Sequence, residues 1–124
     1  MTTVTTAPPY SIIFICDNSA EEMKVPDRIS GELVAANDTC MSVGTYPSDD
    51  GDTEICLAGP GLAEQVAGLE QVFTGQIASP NQRIDVATAE NEVLLSTEIA
   101  THNAGVSVWV NHPRWRSKIL ILAY

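Results

Sequence analysis

The chain has 124 residues, 44% of them apolar, with 16 Asp and Glu against 6 Lys and Arg for a net charge of −10. That length suits one domain with its own core, and that apolar share excludes a disordered acidic tail. The negative balance argues against DNA, RNA or an anionic membrane as a partner, because phosphates would be repelled, and no apolar run approaches the roughly 18 residues of a spanning helix.

Residues 1–10 (MTTVTTAPPY) read as a flexible leader, with a single domain over 11–124. No Lys or Arg precedes the apolar stretch Ser11–Cys16, which is too short for a signal sequence and meets Asp17 at once. A cytoplasmic location is therefore expected. SIIFIC at 11–16 is apolar on both faces and suits a central strand. Gly31–Ala36 and Cys40–Tyr46 follow, joined by the turn residues Asn37, Asp38 and Thr39. Pro47–Asp52 reads as a hairpin connection to Thr53–Ala58, where Ile55 and Leu57 face one way and Glu54 and Cys56 the other. After Gly59, Pro60 and Gly61, the spacing of Leu62, Val66 and Leu69 allows one or two helical turns or a loop. Val72–Ala78, Arg83–Thr88, Glu92–Ala100, Val106–Asn111 and Lys118–Tyr124 complete the strand pattern. Short strands about ten residues apart, with at most one short helix, predict an all-β fold, an antiparallel β-sandwich of about eight strands.

Asp49, Asp50, Asp52 and Glu54 form the densest acidic cluster. Carboxylate oxygens suit calcium, but the spaced ligand frame of an EF-hand is absent. A solvated tip with Gly51 supplying a positive φ is the simplest reading, and a charged finger offered to a basic partner is the functional one. Asp17, Glu21, Glu22, Asp27 and Glu32 read as a solvated face, since nothing in the sequence places two of them in an apolar pocket. His102 and His112 alone fall short of a zinc site. Cys16, Cys40 and Cys56 read as reduced, buried thiols. No nucleophile elbow, P-loop or dinucleotide fingerprint occurs. No cofactor, metal or enzymatic activity is expected.

Every acid lies in residues 1–98, while residues 99–124 carry none and hold Arg114, Arg116 and Lys118. WVNHPRWRSK at 109–118 concentrates both tryptophans with these bases. Trp109 and Trp115 read either as partner anchors, the usual role of Trp beside Arg, or as a cap on the core.

The order of features resembles the ComJ-like family of small acidic inhibitors of a competence nuclease. Tyr10 and Ser11 open an apolar strand ending at Asp17, CMSVGTYPSDDGDTEICL at 40–57 is similar to that family's central hairpin, and FTGQIA at 73–78 leads into the later strands. Residues 18–39 hold no aromatic where the family has a Trp-containing segment, so no binding residue is carried over. The resemblance implies a small inhibitor of a nuclease; the charge pattern, read by itself, points to a non-enzymatic inhibitor or immunity protein of a basic nuclease or toxin, acting by phosphate mimicry through Asp49, Asp50, Asp52 and Glu54. The alternative is a structural or assembly protein that forms a homo-oligomer through sheet edges or the Trp109 and Trp115 surface.

Overall fold

The computed structural model describes residues 2–21, 23–26, 34–47, 49–59, 68–112 and 117–124. Its strands are β1 (Thr2–Thr6), β2 (Ile12–Cys16), β3 (Val34–Ala36), β4 (Cys40–Gly44), β5 (Thr53–Ala58), β6 (Glu70–Ala78), β7 (Arg83–Thr88), β8 (Val93–Glu98), β9 (Asn103–Val110) and β10 (Lys118–Ala123). They form two five-stranded sheets, β1-β5-β10-β9-β6 and β3-β4-β2-β7-β8. The sheets pack face to face, as expected of an all-β sandwich, with ten strands instead of about eight.

The alternation read from the sequence decides what enters the core. Ile13 and Ile15 of β2, Ile55 and Leu57 of β5, Val106, Val108 and Val110 of β9, and Ile119 and Ile121 of β10 all join one buried cluster. Strands buried on both sides are apolar throughout, as in β2 and β10. Outward residues of β5 and β10 form a second, smaller cluster on the outer face of the first sheet, Cys56, Ala58, Leu120 and Leu122, with Leu69 and Trp109 against it.

Two expectations are corrected. Thr2–Thr6, read as part of a flexible leader, is β1, paired antiparallel with β5 from Thr2↔Leu57 to Thr6↔Thr53. Pro47–Asp52 is not a hairpin turn, because β4 and β5 belong to different sheets; it carries the chain across one end of the sandwich. The sheets are mostly antiparallel, as expected; the exception is β10, which lies parallel to β5 with Lys118 opposite Glu54. The chain from β6 to β9, which passes through both sheets, supplies the long connection that a parallel pair requires. The Asn37–Thr39 turn between β3 and β4 is as read, with Asn37 Oδ1 accepting from the Thr39 and Cys40 amides at 2.8 and 2.9 Å. The helix-or-loop segment Leu62–Leu69 falls mostly outside the described residues.

Candidate functional site

The acidic residues singled out in the sequence lie at the end of the sandwich where β4 stops and β5 starts. The β1–β2 link arrives at the same end: the Ser11 carbonyl accepts from the Thr45 amide at 2.9 Å. The Tyr46 amide donates to Thr53 Oγ1 at 3.2 Å, tying the end of one sheet to the other. The acidic turn closes with the Asp50 amide on the Pro47 carbonyl at 2.9 Å. Gly51 has φ +151°, a conformation that disfavours a side chain, and a Cβ there would sit 3.4 Å from the Tyr46 ring. The turn therefore packs on Tyr46 and holds Asp49, Asp50 and Asp52 outward, all exposed.

Register brings further acids to this end. Ile12 opposes Gly44 and Ile13 opposes Thr88, so the β7–β8 turn with exposed Glu90 and Glu92 projects there. Thr88 Oγ1 holds that turn, accepting from both the Glu90 and Glu92 amides at 3.2 Å. Glu70 begins β6 opposite Val110, one strand from Ile119 near the start of β10. Among the described residues, Lys118 is the one Lys or Arg at this end. Its ammonium lies 3.8 Å from the half-exposed Glu54, a solvated pair that neutralises one carboxylate and adds little stability. Tyr10 stands here too, 79% exposed and with φ 60° beside Ser11 at 55°.

Of the two tryptophans, Trp109 is described and Trp115 is not; it falls with Arg114 and Arg116 in 113–116, outside the described residues. Trp109 is half-buried on the outer face of the first sheet, in a cross-strand row with Leu120 and Cys56. Lys118 and Glu54 occupy the next outward-facing row of the same strands. The structure thus brings Glu54 and Trp109 onto one face, with the three aspartates beyond its end. Trp109 Nε1 is buried and has no hydrogen-bond partner among the described residues.

The opposite end holds a polar cluster that the sequence reading missed. Asp17, read as part of a solvated face, is fully buried, as is Asp85. Asp17 Oδ1 accepts from the Ser19 amide at 3.2 Å and its hydroxyl at 2.6 Å, and Oδ2 from the Asn81 amide at 2.7 Å. Asp85 Oδ1 accepts from Arg83 at 2.8 Å and from the Ser96 hydroxyl at 2.6 Å, while Oδ2 takes the Asn18 amide at 3.1 Å. The hydrogen bond that Arg83 donates to Asp85, then the charge of Asp85, raises the pKa of the Arg83 guanidinium above its usual value. Two signals were present: Asp17-Asn18-Ser19 is an Asx-turn sequence, and Arg83 and Asp85 sit two apart on a strand, hence on one face. Every carboxylate oxygen in this cluster is occupied by donors of the chain itself, so it is a clasp and not an acid–base centre.

Neither a family model nor a curated protein sequence matches the chain. Among solved structures, ComJ of Bacillus subtilis, described as the inhibitor of the DNA-degrading activity of NucA, superposes with a TM-score of 0.67. The fold is similar to that of ComJ. The match covers 99% of this chain and 94% of ComJ at 13% sequence identity, so the likeness is one of architecture. It takes in the whole sandwich, β1 included. On this ComJ-like frame the chain carries the acidic end, the Trp109 face and the buried clasp. No helix among the described residues is long and apolar enough to cross a membrane.

Proposed function

We propose that the protein is a non-enzymatic inhibitor of a DNA-degrading nuclease, and that it docks through its acidic end as a mimic of substrate phosphates. The observation that carries this reading is the gathering of Asp49, Asp50, Asp52, Glu70, Glu90 and Glu92 at one end of a ComJ-like sandwich, with Lys118 as their one described basic neighbour. A nuclease groove that binds phosphates is cationic. Exposed carboxylates on a rigid turn present the same charge without a scissile bond, and the field they create speeds encounter. Immunity against a basic toxin nuclease is the same chemistry in another setting.

The test has two stages. The immobilised chain is expected to retain a DNA-degrading activity from an extract of its own cells, and the purified chain to inhibit it. Against that nuclease, Asp49→Asn/Asp50→Asn/Asp52→Asn should slow association by an order of magnitude or more and flatten its salt dependence. A control at the opposite end, Glu21→Gln/Asp38→Asn/Glu98→Gln, should leave association nearly unchanged. Equal loss in the two variants, or an affinity indifferent to salt, would overturn phosphate mimicry. Failure to retain or inhibit any nuclease would overturn the inhibitor reading itself.

A further inference from the structure

Cys16 and Cys40 face each other directly across β2 and β4. The Cys40 amide donates to Asn37 Oδ1 at 2.9 Å and its carbonyl accepts from the Asn37 amide at 2.9 Å. Both main-chain groups therefore point toward β3, which makes Cys16–Cys40 a non-hydrogen-bonded pair, the kind whose side chains approach most closely. The two side chains point away from the main core, onto the outer face of the second sheet. The Cys40 thiol donates to the Met41 carbonyl at 3.6 Å. Both are fully buried and unoxidised.

Met23 lines the same cavity as both cysteines. That cavity, of about 270 Å³ on this face, has Phe14 and Val25 among its apolar walls. Met23 is held over the sheet by its neighbour: the Lys24 amide donates to Thr39 Oγ1 at 3.0 Å, and the Lys24 carbonyl accepts from Asn37 Nδ2 at 3.0 Å. Asn37 thus both orients Cys40 and secures the segment that carries Met23.

We propose that Cys16, Cys40 and Met23 form a binding site for a soft monovalent metal ion, Cu(I). Thiolate and thioether sulfurs select such ions over hard cations. Among the described residues no group of three or more His, Cys, Asp or Glu surrounds the pair, so the four-ligand set of structural zinc is not assembled. Three ligands suit an ion that takes low coordination numbers. A trigonal ion with metal–sulfur bonds of about 2.3 Å, the length known for zinc–thiolate, holds its sulfurs about 4 Å apart, a span that two directly opposed cysteines, with Cβ atoms about 4.5–5.5 Å apart, reach by side-chain rotation. Binding replaces two thiol protons: Cu(I) bonds to both sulfurs, the protons pass to solvent, and no electron is transferred. Because binding releases these protons, it tightens as pH rises.

The experiment is an anaerobic titration of the intact, reduced chain with Cu(I) against a chromophoric Cu(I) chelator, read with X-ray absorption at the copper edge. One copper per chain in an all-sulfur shell, with near-ultraviolet thiolate-to-copper absorption, is expected. Cys16→Ala and Cys40→Ala should each abolish retention against the chelator, and Met23→Leu should weaken it by at least about tenfold, the scale on which lost support around a metal is felt. Cys56→Ala, on the other sheet, should leave it unchanged. Copper lost wholly to the chelator, a nitrogen or oxygen shell, equal loss in Cys56→Ala, or a copper-free chain in which Cys16 and Cys40 have joined as a disulfide each overturns the site. If the Cys16 and Cys40 variants do not fold, the absorption spectrum of the wild-type chain and the Met23→Leu titration still decide.

Discussion

Asp85 shows how little of a residue's role follows from its charge alone. It is withdrawn from water, yet its oxygens meet Arg83, Ser96 and the Asn18 amide, so burial leaves no acceptor unpaired. Asp85→Asn keeps the volume but places an amide that donates where only donors arrive. One of those donors, the Arg83 guanidinium, then loses its counter-charge. Leaving buried donors unpaired costs about 1–3 kcal/mol, and the stranded Arg83 charge, on a side chain 40% exposed, adds little to that. The urea midpoint of Asp85→Asn should fall accordingly, while Glu98→Gln, exposed and opposite the same Arg83, should move it little. An unchanged midpoint in Asp85→Asn would show that the clasp is not holding β7 to the β2 end. The residue scale is also where the sequence was least legible. Asp17 accepts from an amide 64 residues away, and no local pattern reports a donor that distant. Asp49, Asp50 and Asp52 are exposed as read, because Gly51 and the flanking turn chemistry act locally.

At the scale of elements, legibility followed burial. β2 and β10, covered on both faces, and β5 and β9, with one clean apolar stripe, stand out in the sequence within a few residues of their observed bounds. β1 does not, since TTVTT offers a single apolar side chain, and an edge strand with one neighbour needs no more. Its Thr residues favour extended backbone, and Val4 packs on the core opposite Ile55. The acidic connection was misread for a different reason: six residues between two strands fit a hairpin or a passage between sheets equally well, and only the partners of β4 and β5 decide. β1 makes its own prediction. It covers the outer edge of β5, which would otherwise present unpaired backbone groups beside an apolar stripe. A chain beginning at Ala7 should lose stability in urea and should self-associate, seen as a concentration-dependent mass by light scattering. A monomer with an unchanged midpoint would mean that β1 contributes neither cover nor packing.

For the molecule as a whole, the decisive quantity is where charge sits, not how much of it there is. A net charge of −10 spread evenly would serve solubility alone. Instead, among the described residues, the turn at Asp49–Asp52, the β7–β8 turn and the start of β6 bring six exposed acids to one end, while the opposite end exposes Glu21, Asp38 and Glu98, buries Asp17 and Asp85 in hydrogen bonds and pairs Asp85 with Arg83. Gathering like charges opposes folding, and that opposition is screened by salt. Raising ionic strength from 0.01 to 0.1 M shortens the Debye length from about 30 to about 10 Å, which is enough to uncouple separate turns on a small domain. The wild-type urea midpoint should therefore rise over that range. Asp49→Asn/Asp50→Asn/Asp52→Asn should start higher and rise less, since the repulsion has been removed in advance, and Glu21→Gln/Asp38→Asn/Glu98→Gln should track the wild type. A variant that gains stability while losing association with a nuclease is the behaviour of a surface kept for binding at the expense of the fold. If both triple variants respond to salt alike, the negative potential is not concentrated at the β4–β5 end, and charge loses its claim to steer the encounter.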